Sequence, residues 1–220
     1  MPTTNLHELK KLTPGTIKEA LLQQLPGQKA QVSMSPQGRS LLVPDGKIPR
    51  QSAVLLPLFY RNEELHLCFT KRNRQLKHHP GQISFPGGKF EQTDKNTLTT
   101  ALRETTEEIG IETNTIEVLG QLSDLYIPVS NYLITPYVGF VNKKTEPILN
   151  KSEVEKIFSI PLSSLFGSEA RTCKPVAVAG KQTEVPCYYI NNEIIWGATS
   201  MILAELEAIL EQHYSRRATH

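Results

Sequence analysis

The sequence predicts a mixed α/β fold of the α+β kind. Three observations carry this. Short apolar runs bounded by turn residues recur through the middle of the chain. A glycine-rich loop, Phe85-Pro86-Gly87-Gly88, leads into one acidic helix. An apolar helix closes the chain, with Leu203, Leu206 and Leu210 at i, i+3 and i+7.

Each element follows from local chemistry. The first helix is predicted from Thr16-Ile17-Lys18-Glu19, a capping-box pattern in which hydroxyl and carboxylate satisfy each other's free backbone donors. Ile17, Leu21 and Leu25 then share a face, and Pro26-Gly27 ends the helix. Residues 33–49 hold three prolines and two glycines and read as a loop. Residues 1–49 are therefore expected to form a helical arm and loop, residues 50–213 the main domain, and residues 214–220 a tail.

Strands are expected at 53–60 and 65–70, joined as a hairpin by Asn62-Glu63-Glu64. A loop rich in Lys, Arg and His follows. The acidic helix spans roughly 96–109 and is closed by Gly110, which suits a left-handed backbone. Further strands are predicted at 116–122, 133–141, 156–160 and 188–190, and the last helix at about 199–212.

Composition excludes several classes of function. Lys plus Arg is 24 and Asp plus Glu 22, so a net charge of +2 gives no argument for a nucleic-acid or membrane-surface binder. Three cysteines, none at CxxC spacing, speak against a disulfide framework or zinc site and for a reducing cytoplasm. No apolar run approaches the ~18 residues of a membrane helix. The polar N-terminus is not expected to be a secretory signal, nor Arg216-Arg217-Ala218-Thr219-His220 a peroxisomal address.

The acidic helix carries the chemistry. With Glu104 at zero and about 100° per residue, Glu108 lies near +40° and Glu107 near −60°. Leu98, Leu102 and Ile109 lie between about +120° and +160°. The expectation is an apolar back against a sheet and an acidic front. Like charges at i, i+3 and i+4 repel. Arg103 offsets part of that, and a hard divalent cation, Mg²⁺ or Mn²⁺, would offset the rest.

The pattern Arg103-Glu104-x-x-Glu107-Glu108-x-Gly110-Ile111 resembles the second half of the Nudix hydrolase signature, G-x5-E-x7-R-E-U-x-E-E-x-G-U, with U aliphatic. Thr105 stands where an aliphatic residue is usual. Six residues on from Gly88 comes Asp94 instead of Glu, and eight residues instead of seven separate it from Arg103. The coenzyme A pyrophosphatase branch has that spacing, and an upstream signature that this chain resembles in Phe69-Thr70-Lys71-Arg72-Asn73, Lys77, and Gly81 to Gly88. Asn73 replaces a usual Ser and Lys77 a usual Arg. Pro136-Tyr137-Val138-Gly139, Ser152-Glu153-Val154-Glu155 and Ile195-Trp196-Gly197-Ala198-Thr199 are also similar to that branch.

The resemblance implies a Nudix fold, a mixed sheet sandwiched between helices, and a metal-dependent diphosphatase. Its substrate would be coenzyme A or a derivative, cleaved to 4′-phosphopantetheine and adenosine 3′,5′-bisphosphate. Glu104, Glu107 and Glu108 are the implied metal ligands for Mg²⁺ or Mn²⁺, with the Gly88 carbonyl a further candidate. Glu104, Glu107 and Arg103 are the implied catalytic set, Arg103 by orienting Glu107. The base is Glu104 or a carboxylate on a later loop such as Glu153 or Glu155. Arg72, Lys77, Gly87 and Gly88 are expected to bind substrate. His78 and His79 are expected at the surface and Trp196 in the core. The expected partner is a small-molecule diphosphate, with a homodimer as a further expectation. Another nucleoside diphosphate derivative as substrate, and a non-catalytic ligand sensor on the same scaffold, are the alternatives.

Overall fold

A computed structural model describes residues 6–36, 40–76, 79–142, 148–167, 169–178 and 180–217. Lys77 and His78 lie outside these.

The chain opens with three short helices, α1 (Leu6–Lys10), α2 (Pro14–Leu21) and α3 (Gln28–Gln31), the last running into a 3-10 turn at Val32–Met34. Strands β1 (Arg50–Arg61) and β2 (Glu64–Arg72) form the predicted hairpin. Its turn places Asn62 and Glu63 at positive φ, the twist that lets a two-residue connection join antiparallel strands. Then come β3 (Ile83–Ser84), β4 (Gly87–Lys89), α4 (Thr97–Ile109), β5 (Ile116–Gln121), β6 (Leu125–Ile127), β7 (Tyr132–Val141) and β8 (Val154–Pro161). Helix α5 (Leu162–Leu165), strands β9 (Arg171–Val178), β10 (Lys181–Ile190) and β11 (Glu193–Trp196), and helix α6 (Ala198–Arg217) complete the fold.

Eight strands form one mixed sheet along the path β3-β2-β1-β7-β5, with β4 on β1, β6 on β7 and β8 on β2. Only β1 and β7 of this sheet pair in parallel, with Ala53 opposite Thr135 and Leu58 opposite Phe140. Strand β1 is buried on both faces, which is why its sequence is an apolar run and not an alternation. On one face Ala53 and Leu55 pack against Ala101 of α4. On the other, Leu56, Leu58, Leu67 and Val138 meet Ile17 and Leu21 of α2 and Leu203, Leu206 and Leu210 of α6. The sheet is therefore sandwiched between helices, as expected. A second, antiparallel sheet follows the order β11-β10-β9.

Several sequence expectations shift. The helix predicted from Thr16 is α2, capped by Thr13, whose hydroxyl accepts from the Thr16 amide at 3.1 Å, and Pro14 occupies its first turn. Proline needs no partner for an amide hydrogen it lacks, so this cap wins over Thr16-Glu19. The helix ends at Leu21, before Leu25. The last helix extends past 212 to Arg217, where Arg217 donates to Glu19 at 2.8 Å. Strands β3, β4, β6, β9 and β11 were not expected, and the glycine-rich loop at Gly87-Gly88 is strand β4. The alternation of β9 is nearly all exposed and Pro175 interrupts it, so it carries no apolar period.

Candidate active site

Helix α4 is fixed at both ends. Asn96 caps its start, its side-chain oxygen accepting from the Thr99 amide at 2.9 Å and the Thr99 hydroxyl at 3.0 Å. Gly110 closes it at φ 69°. A Cβ there would come within 2.8 Å of the Ile148 side chain, so glycine is required by both φ and space. The chain from Ile148 then covers the end of the helix. The Ile148 amide donates to the Ile109 carbonyl at 2.9 Å and the Asn150 amide to the Glu108 carbonyl at 3.1 Å. Two carbonyls that would otherwise lack partners are thus satisfied.

The acidic face differs from the expected front. The buried residues of α4 are Thr100, Ala101, Thr105, Glu108 and Ile109. On the same wheel they span about −40° to +140°, and Glu104 falls inside that arc. The helix turns the Glu104–Glu108 ridge inward and leaves Leu98 and Leu102 only half-buried. Glu107 lies at the outer edge of the ridge, its side chain 54% exposed. Packing explains the rotation. Small Ala101 lets α4 sit close to Ala53 and Leu55, and Thr105 satisfies its own hydroxyl by donating to the Ala101 carbonyl at 2.7 Å. A polar residue at this aliphatic position therefore leaves no unpaired group.

Arg103 ties the ridge to the loop before it. Its Nε and Nη2 both donate to the Asp94 carboxylate at 3.0 Å. Nη1 donates to Glu104 at 3.0 Å and to Glu107 at 3.1 Å, and Nη2 also reaches the Lys89 carbonyl at 3.2 Å. Asp94 is buried and accepts further from the Thr100 hydroxyl and the Glu91 amide. The hydrogen-bonded Arg103 guanidinium holds its carboxyl well below the usual range. The one-residue offset seen in the sequence thus still delivers a carboxylate to Arg103. Sequence reasoning left the role of Asp94 open, although the Asp–Arg spacing was its signal.

Gly87 and Gly88 form β4, with Ala53 opposite Gly88 and Val54 opposite Gly87. A Cβ at Gly88 would overlap the Glu104 carboxylate, and one at Gly87 would overlap the Ala53 carbonyl. The glycines therefore bring bare backbone against the acidic ridge. Burial pushes the Glu104 carboxyl up, opposed by Arg103. Burial pushes Glu108 up further, to about 8, with the charges of Glu104 and Glu153 adding to it and Arg72 and the Gly87 amide opposing. Glu108 is 4% exposed, and its Oε2 has no hydrogen-bond partner.

Strand β2 supplies Arg72, whose charge opposes the upward shift of Glu108. A bulge between Lys71 and Arg72 brings Arg72 opposite Val154. The Arg72 amide donates to the Gln82 carbonyl at 2.9 Å, while its side-chain Nε is buried without a partner. Glu155 is engaged at the surface by Arg74 at 3.3 Å. Glu153 is exposed, and its charge reaches both Glu104 and Glu108. His79 is exposed and Trp196 half-buried beside Cys187.

Among the described residues no three His, Cys, Asp or Glu side chains stand close enough to form a ready-made metal cage. A hard cation nevertheless fits the ridge. Its ligand atoms are all carboxylate oxygens, and Glu108 presents a buried oxygen that no described residue satisfies.

A NUDIX domain model matches residues 49–175. The chain is 38% identical over 157 residues to NudL, an uncharacterized Nudix hydrolase of Photorhabdus laumondii, covering 71% of this chain and 83% of that protein. It is 36% identical over 168 residues to the peroxisomal coenzyme A diphosphatase NUDT7 of Mus musculus, covering 73% and 70%. In fold it is similar to RenU, a Nudix hydrolase of M. smegmatis, with a TM-score of 0.50 at 11% identity over 76% of this chain and 87% of that one. With Arg103 and the carboxylates of α4 in register with the second half of the signature, the chain belongs to the Nudix hydrolases, enzymes that act on diphosphate bonds.

Proposed function

We propose that this enzyme hydrolyses the diphosphate of coenzyme A or a coenzyme A derivative, giving 4′-phosphopantetheine and adenosine 3′,5′-bisphosphate. The observation that carries the reading is the 36% identity, over 73% of the chain, to a coenzyme A diphosphatase. The Arg72 side chain supports it, with a buried Nε that no described residue satisfies, because a guanidinium grips phosphate oxygens in pairs.

The proposed ligands of Mg²⁺ or Mn²⁺ are Glu104, Glu107 and Glu108, and such an ion supplies charge neutralisation and an acidified water. The remaining roles fall to the chain itself. Arg103 holds Glu104 and Glu107 in fixed orientation while anchored on Asp94. Glu104 is the proposed base, since burial keeps its affinity for a proton above that of an ordinary carboxylate. Gly87 and Gly88 give the diphosphate access to the ridge. Arg72 and Lys77 take the phosphate charges. The proposed setting is the cytoplasm and the proposed assembly a homodimer. No helix of the described residues is long and apolar enough to cross a membrane.

The test is a product assay of the purified protein with coenzyme A, its thioesters and a panel of other nucleoside diphosphate derivatives, with Mg²⁺ or Mn²⁺. Phosphopantetheine should appear from the coenzyme A compounds. Its absence at every metal concentration defeats the substrate assignment.

A further inference from the structure

Two lysines stand directly opposite each other on the main sheet, Lys71 of β2 and Lys156 of β8. Like charges at opposed positions destabilise a strand pair. One carboxylate offsets this. Glu193 Oε2 lies 2.8 Å from the Lys71 ammonium, and Oε1 lies 3.6 Å from that of Lys156. The Lys71 and Glu193 side chains are each 17% exposed, so water screens their pair little. Glu193 begins β11 of the second sheet, beyond the stretch that the family model matches. Its position is firmly set. Asn191 and Asn192 turn the β10–β11 hairpin at positive φ, with Ile190 opposite Glu193. At the far end of β11 the Thr199 hydroxyl donates at 2.9 Å to the carbonyl of Ile83, the partner of Lys71 on β3. The bridged lysines are the last regular pair before the bulge. One residue on, Arg72 lies opposite Val154, and Glu155 is left over in β8. Past the bulge Asn73 rejoins the strands. Its amide donates to the Glu153 carbonyl at 2.8 Å, and its Nδ2 donates to the Lys151 carbonyl at 2.9 Å. The backbone that carries Arg72 is thus held by Asn73 on one side and by the Glu193 bridge on the other.

We propose that Glu193 is a positioning residue for substrate: by bridging Lys71 and Lys156 it holds the bulge in the register that presents Arg72 to a phosphate. This rests on the reading of Arg72 as a phosphate clamp. Lys71 does not share that task, because its ammonium is engaged by Glu193. Arg72 differs, since its buried Nε has no partner among the described residues. Its aim therefore depends on the backbone from which it projects. With residue 193 uncharged, the opposed ammoniums push β2 from β8 at the edge of the bulge, and Arg72 moves with its strand. A shift of about 1 Å is enough to weaken a paired grip on an anion.

The probe is coenzyme A, titrated into the full-length protein in chelator and followed by calorimetry, so that metal binding does not enter the readout. Arg72→Ala should weaken binding on the order of thirtyfold, the loss of a charged hydrogen-bonding partner. Glu193→Gln should weaken it on the order of fivefold, the scale of an opposed charge pair. The two together should cost no more than Arg72→Ala alone, because Glu193 acts through Arg72. Adding Lys156→Met to Glu193→Gln should tighten binding again, since it removes one of the repelling charges. A general loss of packing would not be rescued in this way. Glu193→Asp, charged but one methylene shorter, should fall between wild type and Glu193→Gln, and carries the test if the glutamine variant does not fold. In turnover with Mg²⁺, Glu193→Gln should raise KM more than it lowers kcat. Coenzyme A that wild type does not bind, or binds no better than Arg72→Ala, overturns the phosphate role of Arg72 and this inference with it. A weakened Arg72→Ala beside an unchanged Glu193→Gln, losses that multiply in the double variant, or no recovery with Lys156→Met overturns this inference alone.

Discussion

Glu108 is the residue on which the chemistry and the cost of the site meet most directly. Its carboxyl is buried and half unpartnered, and its pKa stands at about 8 against an ordinary 4.5. Between these values the folded protein holds a proton that the unfolded chain has released. Without metal, the stability owed to this group is full below about pH 4.5 and declines as pH rises toward 8. Glu104 is shifted in the same direction and adds to the trend. In chelator, the thermal midpoint of Glu108→Gln should therefore gain on wild type steadily between pH 5 and 8, and a constant difference would contradict this origin. Metal affinity should rise over the same window, since the ion must displace the proton. With metal present, Glu108→Gln or Glu107→Gln should lower turnover at least about a hundredfold while the fold survives. Wild-type-like rates in both would remove these residues from the mechanism. Asp94→Asn tests the anchor of Arg103. Removing one partner of a largely buried ion pair costs about 3 kcal/mol, so both the melting temperature and the rate should fall. The acidic residues and Arg103 were legible in the sequence because their spacing is helical. Their division into two inward and one outward was not, because it depends on Ala101 and Thr105 deciding which side of α4 meets the sheet.

At the scale of elements, local rules worked where the chain has strong punctuation. Asn96 and Gly110 bound α4 as their side-chain chemistry requires, and Asn62-Glu63 turn the first hairpin. They failed where two local signals competed or where none existed. Thr13-Pro14 outranked Thr16-Glu19 as a helix start. Strand β9 is specified by its pairing with β10, from Tyr188 opposite Arg171 to Lys181 opposite Val178, and not by any period of its own. The part Asn73 and Asn150 play in holding the 148–154 segment was also invisible, since their bonds go to backbone groups some 40 to 80 residues away or to their own turn. The closure of α4 offers a direct test. Gly110→Ala must adopt positive φ and crowd Ile148, a loss of about 1–2 kcal/mol measurable by denaturant unfolding. It should also loosen the 148–154 segment, seen as faster amide exchange at Asn150.

Across the whole molecule, one buried carboxylate joins the N-terminal arm to the rest. Glu205 of α6 is fully buried and accepts from the Gly27 amide, the Ser123 amide and the Gln31 side chain. Glu205→Leu leaves the Gly27 and Ser123 amides without this acceptor and Gln31 with only the Ser123 carbonyl, at a cost of about 3 kcal/mol or more. The arm should then become the first segment cut in limited proteolysis. Leu9, Leu12, Ile17 and Ala20 lie in the same core as the leucines of α6. This placement was only half legible. The helical face of Ile17 and Leu21 was readable, but its docking partner lies some 180 residues downstream.

That shared core bears on what can be cut away. The family match ends at residue 175, yet α6 and the arm supply much of one side of the sandwich. A protein trimmed to the matched stretch would bare the greasy underside of its main sheet. It should precipitate on expression, even with every acidic residue of the catalytic ridge retained.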